Sequence, residues 1–316
     1  MNSNIIGTKN FYDVSACLSE RIRNIINNIP DNIKCCVQEI RLRINKNIIL
    51  NCPNGSYALS VDGELSEKET LFCITPTDID ETFKSICNYS LYSHQNQIRN
   101  GYITLRGGHR AGICGTAVIS NGVIINIRDI SSINIRIARQ MYGCANDIIK
   151  LLDGNVGSTL IVGPPSSGKT TILRDISRQL SNISEGYFKK VCIVDERGEI
   201  GCSYKGIPQC DIGLCDLLDA YPKGEGILQA IRSLSPDIVV CDEVGSDDDV
   251  RSIEMSLNAG VKVIASIHAG SLEEFLNRPQ AKRLLNTKAF KNIIILENRN
   301  TPGKIHDIYN AEDINV

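Results

Sequence analysis

Hydrophobic and polar positions give the two halves of the chain different rhythms. In the first half, apolar residues recur at helical spacing or alternate with charge. Leu18, Ile22, Ile25 and Ile26 predict one amphipathic helix that ends before Pro30. From Val37 to Ile44, apolar and charged residues alternate, with Arg41 and Arg43 on one face; this is the pattern of a half-buried strand. A second strand is expected over Ile48–Asn51, before the turn residues Pro53-Asn54-Gly55. Thr75 and Pro76 open a helix that carries Ile79, Phe83 and Ile86 on one side. Gly107-Gly108 marks a turn between two strands, and Ser120-Asn121-Gly122 joins Thr116–Ile119 to Val123–Ile127 as a tight hairpin. Together these elements predict a small α+β domain with an antiparallel sheet.

The second half alternates buried strands with helices, which predicts an open, mainly parallel α/β sheet. A short helix over 145–152 and a turn-rich joint over 153–158 separate the halves, so the expected domains are 1–150 and 151–316. Apolar runs end at Val162, Val194, Cys241 and Ile267, and Ile293–Leu296 predicts a fifth strand. Helix faces follow at Ile172/Leu173/Ile176/Leu180, at Ile227/Leu228/Ile231/Leu234, and after Ser246-x-x-Asp249, a capping pattern. Residues 201–226, rich in Gly, Pro, Cys and Asp, read as loop.

Composition narrows the class. At 42% hydrophobic and 22% charged, the 316 residues describe an ordinary globular protein with ample core. A net charge of −2, no Trp and 5% aromatics argue against a nucleic-acid channel lined by cationic side chains and base-stacking aromatics, so no nucleic-acid partner is expected. No apolar run is long enough to cross a bilayer and no signal peptide is visible, which predicts a cytoplasmic protein. The 13 cysteines form no Cys-x-x-Cys pair, and Cys73, Cys114, Cys192 and Cys241 sit in apolar runs; reduced packing thiols are the expectation.

The sharpest chemical signal is Gly163-Pro164-Pro165-Ser166-Ser167-Gly168-Lys169-Thr170, followed by Thr171, between a buried strand and an apolar-faced helix. Glycines let successive main-chain N–H groups face phosphate oxygens, and the helix N-terminus adds positive potential. Lys169 is expected to reach the β- and γ-phosphates of ATP, and the Thr170 hydroxyl to take one position on Mg²⁺. Polar groups stand at the carboxyl ends of three further strands: Asp195/Glu196, Asp242/Glu243 and His268. Downstream of a P-loop, Asp242 is the expected metal partner and Glu243 the residue that polarises the attacking water. Glu196 fits either a second base or an ion pair with Arg197 or another arginine. His268 fits either a contact to the γ-phosphate or water, or ordinary packing. No obvious arginine in the second half neutralises transition-state charge, which leaves Arg106, Arg110, Arg128, Arg136 and Arg139 of the first domain as candidates.

These residues resemble a known family. The P-loop, Asp195-Glu196-Arg197-Gly198-Glu199, Leu234-Ser235-Pro236-Asp237 before Asp242-Glu243, and Ile267-His268-Ala269 resemble the secretion ATPases of type II, type IV and pilus systems. Glu39-Ile40-Arg41-Leu42-Arg43, Gly101–Arg110, Ser132-Ile133-Asn134-Ile135-Arg136 and Val194-Asp195-Glu196-Arg197 tighten the resemblance to the stage III sporulation protein AA family. The resemblance implies a RecA-like P-loop ATPase domain behind a smaller N-terminal domain. It also implies a homo-oligomer, a hexameric ring, on the cytoplasmic face of a channel between mother cell and forespore, docked peripherally through a membrane-anchored sporulation partner. Arg110 and Arg136 become the arginines carried forward as catalytic candidates, beside Glu243, Glu196 and His268. The secretion relatives have Gly-Glu where this chain has Asp242-Glu243, so the metal role passes to Asp242. A nucleic-acid translocase, a small-molecule kinase and a nucleotide-gated scaffold with little turnover are the competing readings of the same core.

Overall fold

The computed structural model describes residues 3–90, 94–99, 101–152, 157–183 and 188–314. It divides into two units, Met1–Arg139 and Gln140–Val316. Residues 153–156 of the expected joint lie outside the described residues.

The first unit opens with α1 (Ser3–Ser15), α2 (Glu20–Ile26) and α3 (Asp31–Lys34). Strands β1 (Glu39–Arg43), β2 (Ile49–Cys52), β3 (Gly55–Leu59) and β4 (Leu65–Ser66) follow, then α4 (Pro76–Ile86), α5 (Gln95–Arg99), β5 (Tyr102–Thr104), β6 (Arg110–Ser120) and β7 (Val123–Arg136). The strands form one antiparallel sheet in the order β4-β3-β2-β1-β7-β6-β5. Alternation along β1 works as its sequence predicts: Ile40 and Leu42 are fully buried, while Glu39, Arg41 and Arg43 take the other face. Phe11, Val14, Ile22 and Ile26 from the helices share a core with Ile40, Leu42, Leu50, Ile133 and Ile135.

The single N-terminal helix expected from periodicity is two helices. The Ser19 hydroxyl accepts the Ile22 N–H and donates to Asp78, and the Ser19 N–H donates to Thr82. A cap tied to α4 therefore ends the chain's first helical run and starts a second. The capping box at Thr75/Asp78 and the Asn121-Gly122 hairpin form as predicted, the latter with φ of 51° and 76°.

The second unit comprises α6 (Asn146–Leu152), β8 (Ser158–Gly163), α7 (Lys169–Leu180), β9 (Val191–Asp195), β10 (Asp216–Asp219), α8 (Lys223–Ser233) and β11 (Ile238–Cys241). It continues through α9 (Asp247–Asn258), β12 (Lys262–His268), α10 (Leu272–Leu276), α11 (Pro279–Asn286), β13 (Phe290–Leu296) and β14 (Ile305–Asn310). The sheet order is β10-β9-β11-β12-β8-β13-β14, parallel throughout except for β13/β14. Alternate residues of its strands enter two separate cores. Leu160, Val162, Val239 and Val263 pack with α8, α9, α10 and α11 through Ile227, Val250, Phe275 and Leu284. Ile161, Ile193, Val240 and Ile264 pack with α6 and α7 through Ile148, Ile172 and Ile176. Burial on both faces is why these strands read as largely apolar runs without alternation.

Because Ala145, Ile148 and Leu152 join the second core, the unit boundary falls ahead of the 150/151 division expected from sequence. The stretch expected as loop contains the edge strand β10. Cys192 and Cys241 are buried as expected, but Cys73 and Cys114 are exposed. Among the described residues, no helix is long and apolar enough to cross a membrane.

Candidate active site

Four neighbouring strands, β9, β11, β12 and β8, deliver their carboxyl ends side by side, and Lys169, Thr170, Asp242, Glu243 and His268 meet there. The P-loop leaves β8 at Gly163 and enters α7 at Lys169. Ser166 (φ 62°) and Gly168 (φ 93°) both take left-handed backbone conformations. A Cβ on Gly163 would stand 2.5 Å from the Ser167 hydroxyl, and one on Gly168 would stand 2.7 Å from the Gly303 nitrogen. Only glycine fits either place. The Gly303 N–H donates to the Ser167 carbonyl at 2.8 Å, so the β13–β14 loop buttresses the P-loop. Pro165 and Ser166 are exposed on the loop, while Pro164 and Thr171 are half-buried.

Lys169 is 5% exposed, and burial lowers its pKa. Its ammonium donates to the carbonyls of Gly163 and Pro164, both at 2.9 Å, and lies 3.1 Å from His268 Nδ1. An ammonium has no acceptor, so Nδ1 accepts and the imidazole proton sits on Nε2. That Nε2 donates to Glu243 Oε1 at 2.7 Å. Lys169, His268 and Glu243 therefore form one hydrogen-bonded line across three strand ends. Burial pushes the Glu243 carboxyl up in pKa, but the His268 hydrogen bond and the charges of Arg197 and Lys169 together bring it below its ordinary value.

The Thr170 hydroxyl donates to Asp242 Oδ2 at 2.5 Å. Asp242 Oδ1 accepts from the Ser266 hydroxyl and from the Glu243 N–H. Ser266, on β12, is a residue that sequence reasoning missed; a lone serine inside an apolar strand, two positions before His268, was the available signal.

Around Glu196 the structure departs from the sequence reading. Arg197 pairs with Glu243, and Glu196 lies 3.5 Å from the buried Lys223. The second unit thus carries an arginine at the site after all, with 63% of its side chain exposed. Asp195 is turned inward: its carboxylate accepts the N–H groups of Glu199, Ile200 and Gly201 at 2.8–2.9 Å. Burial raises its pKa to about 6 against the pull of those three donors. It organises the loop after β9, its carboxylate turned into the protein. Arg174 of α7 grips the same loop, donating to the carbonyls of Ile200 and Glu199, both at 2.6 Å.

The remaining arginine candidates belong to the first unit. Arg136 lies 3.6 Å from Glu39, and the Arg110 guanidinium lies 3.8 Å over the Tyr102 ring. Their β-strand register sets Arg110 opposite Arg136.

The residues fit a magnesium–nucleotide. The Ser167 hydroxyl is fully buried and has no hydrogen-bond partner among the described residues, at the base of a loop held open by glycines. Thr170 and Asp242 offer one hydroxyl and one carboxylate. That is a set suited to a hard octahedral cation that takes its other oxygens from phosphate and water. Among the described residues, no group of three or more His, Cys, Asp or Glu could hold a metal without such a ligand.

The family model described as "Sporulation stage III, protein AA" matches residues 9–316. Stage III sporulation protein AA of Bacillus subtilis is 37% identical over 303 residues, covering 95% of each chain. The uncharacterized protein ycf45 of Cyanidium caldarium is 30% identical over 183 residues, 56% of this chain and 52% of that one. Among solved structures, the Legionella pneumophila ATPase DotB superposes with a TM-score of 0.52 at 16% identity, over 83% of this chain and 72% of its own. The pilus retraction motor PilT, solved with bound ADP, gives 0.53 at 14% identity, over 82% and 74%. The second unit is thus a RecA-like P-loop domain with the fold of secretion ATPases, preceded by a smaller antiparallel α+β domain.

Proposed function

The chain belongs to the sporulation stage III protein AA family, and from that premise we propose that it is a magnesium-dependent ATP hydrolase that works as a secretion-type motor. The observation that carries this reading is the meeting of Lys169, the Thr170–Asp242 pair, Glu243 and His268 at adjoining strand ends. Main-chain N–H groups of the P-loop and the α7 N-terminus receive the phosphates. Lys169 exchanges its two loop carbonyls for β/γ-phosphate oxygens and neutralises charge there. Thr170 and Asp242 would hold Mg²⁺, which when bound would supply further neutralisation of the charge that develops on the phosphates. Glu243 takes the proton of the attacking water, and His268, donating from Nε2, keeps that carboxylate aimed. Glu196 serves as an outer carboxylate that orders water.

The Arg197 ion pair covers the second oxygen of Glu243, so turnover requires Arg197 to let go of it. Once released, Arg197 can face the phosphate charge; Arg110 and Arg136 are the candidates for an arginine delivered from another subunit. The same ion pair favours a second reading, a nucleotide-gated scaffold with slow turnover. The working form is a homo-hexamer on the mother-cell cytoplasmic side of the forespore channel. There it attaches peripherally through a membrane-anchored sporulation protein.

Steady-state hydrolysis measured against protein concentration tests the proposal. Specific activity that rises with concentration and disappears in Lys169→Ala is expected. Nucleotide binding without hydrolysis at any concentration would leave the scaffold reading in its place.

A further inference from the structure

Lys223, the first residue of α8, is 5% exposed. Its ammonium faces three acceptors: the Glu243 main-chain carbonyl at 2.8 Å, the Glu196 carboxylate at 3.5 Å and the Asp249 carboxylate at 3.6 Å. One hydrogen bond and two ion pairs hold the buried ammonium in place. The acceptors come from the end of β9, the end of β11 and the first turn of α9, so one side chain ties together the elements that carry both strand-end glutamates.

The contact to Glu243 has a particular consequence. Glu243 has φ of 46°, a left-handed conformation that a residue with a side chain holds only when its neighbours over-determine it. On the amino side, the Glu243 N–H donates to Asp242 Oδ1 and Ser266 Oγ, both at 2.9 Å. On the carboxyl side, Lys223 holds the carbonyl, and the next N–H, of Val244, donates to the Ser266 carbonyl at 2.8 Å. With both flanking peptides pinned, the Glu243 side chain points at His268 and Arg197 instead of turning out to solvent.

We propose that Lys223 is a positioning residue for hydrolysis: its buried ammonium fixes the peptide that follows Glu243 and so aims the Glu243 carboxylate at the attacking water. The inference rests on the ATPase reading. Lys223 touches no group that would hold nucleotide or metal, so its removal acts on turnover and not on binding. Nor does α9 depend on it, because Asp249 accepts the Gly245 and Ser246 N–H groups and Ser246 caps the helix.

The test compares wild type, Lys223→Met, Lys223→Arg, Glu243→Gln and the Lys223→Met/Glu243→Gln double variant. Each is assayed for steady-state ATP hydrolysis and for binding of a fluorescent ATP analogue. The expected result is a fall in kcat of about 10- to 100-fold for Lys223→Met, the scale of a misaimed catalytic group. KM and analogue affinity should stay within about 3-fold, as for a residue acting only on the chemical step. Lys223→Arg should retain more activity than Lys223→Met. The double variant should be no slower than Glu243→Gln alone, because a residue that acts through Glu243 has nothing left to aim. Unchanged kcat, weakened binding with kcat intact, or fully additive losses would each overturn the inference. If Lys223→Met does not fold, Lys223→Arg and Lys223→Gln carry the same cycle. Wild type that binds nucleotide without hydrolysing it would overturn the ATPase reading and this inference with it. Hydrolysis by wild type that is indifferent to Lys223→Met overturns this inference alone.

Discussion

The two sheets of this chain dispose of their polar residues in different ways. In the antiparallel sheet, alternation spreads them along a whole face: Glu39, Arg136 and Arg110 stand opposite one another in one row across three strands. In the parallel sheet both faces are covered, so polar side chains gather where the strands end. Adjacent strands then bring Lys169, His268 and Glu243 into a line with spacings of 3.1 and 2.7 Å. Spreading leaves each charge partly solvated; gathering buries Lys169 and shifts its proton affinity. The lesson is that burial on both faces of a sheet concentrates chemistry at its rim.

The contrast can be broken first at the cores. Ile40→Ala empties a fully buried position in the first unit and should cost about 2–5 kcal/mol of stability. Lys169→Ala at the rim should abolish hydrolysis while leaving the melting temperature nearly unchanged. Thermal unfolding and ATPase assays on both variants check this; a rim variant that melts early would erase the distinction.

Acid sharpens the contrast with a somewhat smaller effect. His109 is fully buried in the first unit, accepts the Ala138 N–H, and is pushed down to about 4 by burial. The unfolded chain binds that proton at about pH 6.5 and the folded chain does not. Stability from this group is therefore complete above pH 6.5 and drains away towards pH 4, about 2–3 kcal/mol by pH 4.5. Asp195 runs the other way. Its folded pKa of about 6 lies above the unfolded value, so falling pH between 6 and 4 favours its folded form by about 2 kcal/mol. Hydrogen exchange between pH 7 and 4.5, read separately for each unit, should find protection lost in the first unit sooner than in the second. NMR titration of His109 near 6.5 would contradict the account.

What was legible in the sequence follows the same division. Strands β8, β9, β11 and β12 are buried on both faces, so each is a largely apolar run, interrupted in β12 by Ser266, that leads to a polar group at its carboxyl end, and their order of chemistry could be read directly. Thr75 and Asn121-Gly122 were legible because caps and two-residue turns demand particular side chains. The break between α1 and α2 was not, because Ser19 acts as a cap through Asp78 and Thr82, some 60 residues away. Edge strand β10, with its partly exposed Asp-Leu-Leu-Asp, has neither alternation nor an apolar run. Pairings across the rim were the least legible: nothing in Asp195-Glu196-Arg197 says that Arg197 turns to Glu243 and Glu196 to Lys223. Those choices depend on which strands become neighbours.

The central claim is that adjoining strand ends form one hydrolytic centre with Glu243 as its base. Turnover of Glu243→Gln at saturating Mg-ATP, with nucleotide affinity measured on the same preparation, tests it most directly. The account predicts that kcat drops by about 10²- to 10⁴-fold, the usual contribution of a positioned general base, while affinity is kept. Turnover equal to that of the wild type would contradict it.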